Sequence, residues 1–326
     1  MDLNEVKEFL GEDWKRVETA ISDALKSDIE LLDKTNASIM SHSGKMIRPM
    51  LSILIARACS GARPADASYL YAASSELLHN ATLLHDDVAD NSKQRRGNPT
   101  IMSLLGPTAS VLIGDFWLVK AMEGILAAGD NGKVIRIFSR TLSDLAEGEM
   151  LQLEKARKGD TSESDYYRIV YNKTASLFRA SALSAAISVD AEDSVRESVG
   201  RYAELLGIAF QIRDDIFDYM PCSKAGKPVG VDILEQKITL PLLGAMSNSG
   251  EAKAREIRGM VSGIVGHPEN RDAIAAFVRD NDGIGYAQDR LTEYIDDAVS
   301  CLDVLPDSRE KEYLRELAYF VGQRIS

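Results

Sequence analysis

LLHDDVAD, residues 83–90, sets two leucines and a histidine ahead of three carboxylates within five positions. The stretch ends an apolar series, Leu77, Ala81, Leu84 and Val88, whose steps of four, three and four mark one face of a helix. Each residue advances ~100° around a helix, so Asp86 and Asp90 fall ~40° apart with Asp87 beside them, all inside a ~100° arc flanking that stripe. FQIRDDIFDY, residues 210–219, repeats the pattern: Asp214, Asp215 and Asp218 have the same spacing, beside a stripe of Leu205, Ala209, Ile212 and Ile216 with identical steps. Apolar residues recur at three- and four-residue intervals almost everywhere else, and alternating strand patterns are scarce, so the chain is predicted to be all-α.

Helices are expected over about 4–33, 45–60, 65–91, 107–128, 132–157, 163–189, 193–219, 236–248, 251–265, 270–281, 284–302 and 308–323, with boundaries good to ~2–4 residues. The breaks between them are short, as at NPT 98–100, GP 106–107, GDNG 129–132 and VLPD 304–307, and none has the length of an interdomain linker. One domain over 1–326 is the simpler expectation. Pro221 to Asp232, rich in glycine and proline, reads as a mobile loop directly after the second acidic cluster.

With 326 residues, 45% of them hydrophobic, the chain has the makings of an ordinary globular core. A net charge of -12 argues against a nucleic-acid or anionic-membrane surface, so an anionic ligand must be gripped by local cations. Three scattered cysteines, Cys59, Cys222 and Cys301, support neither a disulfide framework nor a zinc site and fit a reduced cytoplasmic setting. The N-terminal stretch is polar and no window approaches ~18 uncharged apolar residues, so a soluble protein with no membrane anchor is expected.

A lone DDxxD is more often a solvated acidic face, and Asp296 and Asp297 are read that way. Two copies on strongly apolar helices are different. Like charges one turn apart cost ~0.2–0.5 kcal/mol per exposed pair and more when desolvated, which points to a compensating cation. Carboxylates without histidine or cysteine favour Mg²⁺, which takes one or two protein carboxylates and fills its shell with water and phosphate oxygens. Cations for a diphosphate stand nearby: Lys45 and Arg48 in GKMIRP, Arg95 and Arg96 in KQRRGNPT, Lys173 with Thr174 in NKTASLF, and Lys227 and Lys237 around the loop. Taken singly each is an ordinary surface residue; together with the paired acids they outline two anion sites. His79, two turns before Asp86 on the same face, is read as a ligand-facing donor, and His85 as a core histidine.

In order, GKMIRP, ELLHNATLLHDDVAD, RRGNPT, GDF 114–116, KTA, FQIRDDIFD and GKPVGVDILEQKITLP, over about residues 44–241, resemble the trans-isoprenyl diphosphate synthase (polyprenyl synthetase) family. The resemblance implies an isoprenoid-synthase-like fold, a single large helical bundle around a central cavity. It also implies that Asp86, Asp87, Asp90, Asp214, Asp215 and Asp218 hold three Mg²⁺ ions against an allylic diphosphate. Arg95, Lys173, Thr174, Gln211, Lys227 and Lys237 would contact that diphosphate. Lys45, Arg48, His79 and Arg96 would hold isopentenyl diphosphate, with Phe210 beside its hydrocarbon. Asp86, Asp90, Asp214, Lys173 and Arg95 would carry the catalytic burden, in a homodimer. Gln236 departs from the pattern by standing where the family usually has glycine, which puts the path of the loop before Lys237 in question.

Charge then dictates the chemistry that the resemblance implies: pyrophosphate leaves, an allylic cation forms, the double bond of isopentenyl diphosphate attacks it, and pyrophosphate takes the lost proton. The loop after the second acidic cluster would close and exclude water. Below Asp86 the helix face carries small side chains, Thr82, Ala81 and Ser75, where a short-product enzyme would place an aromatic; Leu78, Trp117 or a residue from another helix would be the floor. Each turn is ~5.4 Å, near one extended isoprene unit, so a product of roughly 30–50 carbons is expected. The alternatives are a farnesyl- or geranylgeranyl-length synthase, a cyclase lacking the second anion site, a non-catalytic partner subunit, and a structural helical protein that binds divalent cations.

Overall fold

In the computed structural model the described residues are 1–42, 44–95, 97–129, 132–220 and 230–323, and nearly all of the regular structure among them is helical. The helices are α1 (Leu3–Leu10), α2 (Glu12–Ala24), α3 (Glu30–Ser41), α4 (Ile47–Ser60), α5 (Asp66–Ala89), α6 (Ile101–Leu105), α7 (Pro107–Ala127), α8 (Lys133–Lys158) and α9 (Glu163–Val170). They continue with α10 (Ser176–Ser188), α11 (Asp193–Asp218), α12 (Val231–Leu234), α13 (Leu240–Ser249), α14 (Glu251–Ser262), α15 (Asn270–Asp280), α16 (Gly283–Cys301) and α17 (Arg309–Gln323). The only strands among these residues are β1 (Gln94–Arg95) and β2 (Asn98–Pro99), an antiparallel pair.

Backbone contacts divide the chain into two compact units: residues 1–139, 180–200 and 304–314, and residues 140–179, 201–303 and 315–326. In the first, α5 and α7 lie against each other because α7 offers them small residues. Ser110 Oγ donates to the Leu84 carbonyl at 2.8 Å, and Ser74 Oγ to that of Ala121 at 3.0 Å. A Cβ on Gly124 would stand 2.8 Å from Ser74 Oγ, so glycine is what allows that approach. Ser74 is thus a packing contact with α7. Trp117 is fully buried, its indole donating to Asn36 Oδ1 at 2.8 Å while Asn36 donates to the Leu25 carbonyl.

The helix expected over 4–33 is three helices. Gly11, at φ 53° and ψ −116°, ends α1 and starts α2, a conformation a side chain would resist. The helix expected over 236–248 begins only at Leu240, after the short turn of α12.

The helix expected over 163–189 is interrupted: Tyr171–Ala175 form one wide π-turn between α9 and α10. Two glycines make room for it. A Cβ on Gly148 of α8 would lie 2.7 Å from Asn172 Cβ and 3.1 Å from the Lys173 nitrogen, and one on Gly207 of α11 would lie 2.6 Å from Ala175 Cα. The widened turn therefore sits against bare backbone on α8 and on α11. Such turns are rare and recur at functional sites.

Candidate active site

The first acidic motif closes α5. Asp87 is buried, and Arg95 donates to its Oδ1 through Nε and Nη2, each at 2.9 Å. The hairpin that carries Arg95 is rooted on the same helix end, since Ser92 N–H donates to the Asp87 carbonyl at 2.9 Å. Asp86 is half-buried, and Asp90, the C-cap, is exposed. His85 lies over Gly114 so closely that a Cβ there would meet its Nε2 at 2.4 Å, and that nitrogen is 3.2 Å from Asp115 Oδ1. The expected core histidine is thus a half-buried ring joining two of the quoted motifs. Lys45 and Arg48 stand at the N-terminal end of α4, which packs on α5, and both are half-buried, as are His79 and Thr82 on α5. Ala81, Leu78 and Ser75 are buried. Arg96 and Lys227, and the loop residues 221–229, lie outside the described residues.

Of the second acidic motif, Asp215 lines a cavity of about 130 Å³ whose walls include Gln152, Tyr166, Lys173, Thr174, Gln211, Asp232 and Lys237. The π-turn delivers two of these side chains. Thr174 Oγ1 donates to Gln211 Oε1 at 3.0 Å, Gln211 Nε2 donates to Asp215 Oδ1 at 2.9 Å, and Tyr166 donates its hydroxyl to Asp215 Oδ2 at 2.7 Å. Lys173 is ion-paired with Glu149 and donates to Gln152 Oε1 at 3.2 Å. Lys237 Nζ is 2.5 Å from Glu235.

The three acids of this motif are not equivalent. Asp214 has 44% of its side chain exposed and pairs with the buried Arg213 at 2.6 Å. That guanidinium is 4.5 Å from the centre of the Phe210 ring, which in turn tilts against Phe178. Asp215 is fully enclosed; burial, and then the charge of Asp232, hold its carboxyl well above the usual carboxylate range. Asp218 accepts from the backbone N–H groups of Val231 and Asp232 at 3.0 and 3.1 Å. It thereby caps α12 and carries Asp232 into the cavity, where burial and the charge of Asp218 push its carboxyl up to about 6.

Gln236 occupies the left-handed region at φ 59°, the conformation for which glycine is the natural choice, and its Nε2 donates to the Ser262 carbonyl at 2.8 Å. The side chain replaces glycine's freedom with an anchor on α14, and Lys237 N–H still bonds the Asp232 carbonyl at 2.8 Å. The departure therefore leaves Lys237 lining the cavity. Sequence reading named neither Asp232, Tyr166, Glu149 nor Gln152 as site residues. Asp232 alone had a signal, its place in the quoted GKPVGVD run.

The sequence matches the polyprenyl synthetase family model over residues 29–279. The octaprenyl diphosphate synthase of Escherichia coli (strain K12) is 37% identical over 325 residues, covering 99% of both chains. An all-trans-nonaprenyl-diphosphate synthase (geranyl-diphosphate specific) of Rhodobacter capsulatus is 34% identical over 97% of this chain and 96% of its own. Among solved structures, a decaprenyl diphosphate synthase from Rhodobacter capsulatus superposes with a TM-score of 0.93 at 31% identity, covering 100% of both chains.

Proposed function

The chain belongs to the polyprenyl synthetase family and is a trans-prenyltransferase, and from that premise we propose that it joins an allylic diphosphate to isopentenyl diphosphate, in repeated rounds, to give an octaprenyl-like product longer than about 20 carbons. The observation that carries the reading is the cavity around the π-turn, where Lys173, Lys237, Thr174 and two glutamines stand with the carboxylates of Asp215 and Asp232. Fixed cations and hydrogen-bond donors are what a departing diphosphate needs. Arg95, Lys173, Thr174, Gln211, Lys227 and Lys237 are assigned to the allylic diphosphate. Lys45, Arg48, His79 and Arg96 are assigned to that of isopentenyl diphosphate, with Phe210 beside its hydrocarbon. Together these residues form one catalytic domain, 1–326.

The donor chemistry suits Mg²⁺. The acids offer only oxygens, and the raised carboxyls of Asp215 and Asp232 mark a cluster short of positive charge. Asp86, Asp87, Asp90, Asp214, Asp215 and Asp218 are the proposed holders of three ions, and Asp232 joins them. Among the described residues no three such ligands converge closely enough to hold an ion alone, which is compatible with a cation that completes its shell with water and phosphate. Bound Mg²⁺ supplies neutralising charge for the diphosphate. The chain's own cations orient that group.

Small buried side chains at Ala81 and Ser75, about one and three turns before Asp86, support a long product over a farnesyl- or geranylgeranyl-length one. With farnesyl diphosphate, labelled isopentenyl diphosphate and Mg²⁺, the dephosphorylated products are expected to run beyond about 20 carbons, given ~5.4 Å of helix per turn. A single 15- or 20-carbon band contradicts the chain-length reading, and no product at all favours a non-catalytic partner subunit.

We propose also that two copies pair through α7. Leu112, Val119 and Leu126, seven residues apart, are 63%, 51% and 64% exposed. An apolar row of this kind suits burial against a like row. The Leu112→Glu/Val119→Glu variant is expected to run as a monomer in light scattering while its circular dichroism is unchanged; a variant that remains dimeric excludes this face. Among the described residues no helix is long and apolar enough to cross a membrane, and the proposed place of work is the cytoplasm.

A further inference from the structure

Lys173 is brought to the cavity by the π-turn, and α8 determines what it meets there. Gly148 lets α8 approach the backbone of Asn172 and Lys173, and the next residue, Glu149, is thereby set against the Lys173 ammonium. One turn on, Gln152 accepts from the same ammonium at 3.2 Å and itself lines the cavity. Gln152 Nε2 is also 3.5 Å from Glu149 Oε1, so the two α8 side chains are joined. About a quarter of each ionic partner is exposed, which leaves the pair open to exchange with an anion from the cavity side.

We propose that Glu149 is a positioning residue that limits how tightly Lys173 holds pyrophosphate, taking the ammonium back as that product leaves between rounds. The inference rests on the assignment of Lys173 to the allylic diphosphate. Its physical content is competition: an anion reaching Lys173 must displace a carboxylate that α8 holds in place, so part of the attraction is spent on that exchange. A synthase that adds many units must release pyrophosphate after each one, and a lysine with no returning partner would retain it.

The test measures binding of inorganic pyrophosphate, in the presence of Mg²⁺, by titration calorimetry. Glu149→Gln keeps the shape and removes the charge, and it should bind pyrophosphate about fivefold tighter, the scale of losing one partly exposed ionic partner. Pyrophosphate should inhibit turnover by that variant at correspondingly lower concentration. Glu149→Asp, which restores the charge, should return to the parental affinity, and Gln152→Glu, which adds a second carboxylate to the ammonium, should bind more weakly. A purely structural role for Glu149 would lower thermal stability and could not tighten pyrophosphate binding. Unchanged or weaker binding by Glu149→Gln overturns the inference, as does the same tightening in a Lys173→Ala background. If Lys173→Ala alone leaves pyrophosphate affinity unchanged, the assignment of Lys173 itself has failed.

Discussion

Alanine at Asp86 or at Asp214 is expected to lower kcat/KM by about 10³-fold, roughly 4 kcal/mol of transition-state stabilisation. Both positions belong to the acidic motifs, yet their surroundings differ and so should the side effects. Asp86 is half-buried near the end of α5, beside an Asp87 whose Oδ1 already takes two donors from Arg95. Asp86→Ala should lose turnover and Mg²⁺ dependence together, while the Asp87–Arg95 pair beside it stays in place. Asp214 is the partner of Arg213, a guanidinium buried over Phe210 and Phe217 whose Nη1 also donates to the Val321 carbonyl at 3.4 Å. Asp214→Ala should thus also lose about 1 kcal/mol of stability, an amount kept small by the exposure of the carboxylate. Asp214→Asn leaves Oδ1 to accept from Arg213 and should restore the melting temperature without restoring turnover. Steady-state kinetics with varied Mg²⁺, beside thermal melts, separate these effects. Full activity in Asp86→Ala and Asp214→Asn would mean that the acids serve something other than the diphosphate.

The all-helical architecture and the two acidic helices were legible because both rest on local periodicity: a 3.6-residue stripe reads the same whatever it packs against. Leu77, Ala81 and Leu84 are buried as their spacing requires, and so are Leu205, Ala209, Ile212 and Ile216. What stayed hidden depends on approach between distant segments. The π-turn at Tyr171–Ala175 has no composition of its own; it requires Gly148 and Gly207, about 25 and 30 residues away in opposite directions, and a glycine inside a helical pattern carries no label saying which backbone it admits. The distinction between Asp214, Asp215 and Asp218 was equally invisible, because identical residues at helical spacing acquire different roles only from Arg213, from Tyr166 and from the amides of Val231 and Asp232. Gln236 shows a motif departure being absorbed. Left-handed backbone costs a side-chain-bearing residue roughly 1–2 kcal/mol, and a hydrogen bond to Ser262 returns part of it.

Gly207→Ala is the substitution expected to damage the site most without touching a polar group. Its Cβ would lie 2.6 Å from Ala175 Cα, 3.0 Å from Ala175 Cβ and 3.3 Å from Phe178 Cδ2. The nearest of these is main chain, so relief requires moving the π-turn or α11 and not merely turning a side chain. The expected loss of stability is about 1–3 kcal/mol, the usual range for overpacking a core. The effect on turnover should be larger in proportion. Gly207 precedes Gln211 by one helical turn, so a shift there acts directly on the Thr174–Gln211–Asp215 chain, and on Lys173 within the displaced turn. Misplacement of aligned groups by ~1 Å costs about 10²-fold in rate, and kcat/KM for the allylic diphosphate should fall by that order in the fraction that remains folded. Gly259→Ala is the matched control, since that helical glycine on α14 has nothing within 4 Å of its added Cβ and should gain up to about 1 kcal/mol. A Gly207→Ala enzyme that melts lower but keeps its kcat/KM would show that the π-turn tolerates displacement and that the two glycines do not place Lys173 and Thr174.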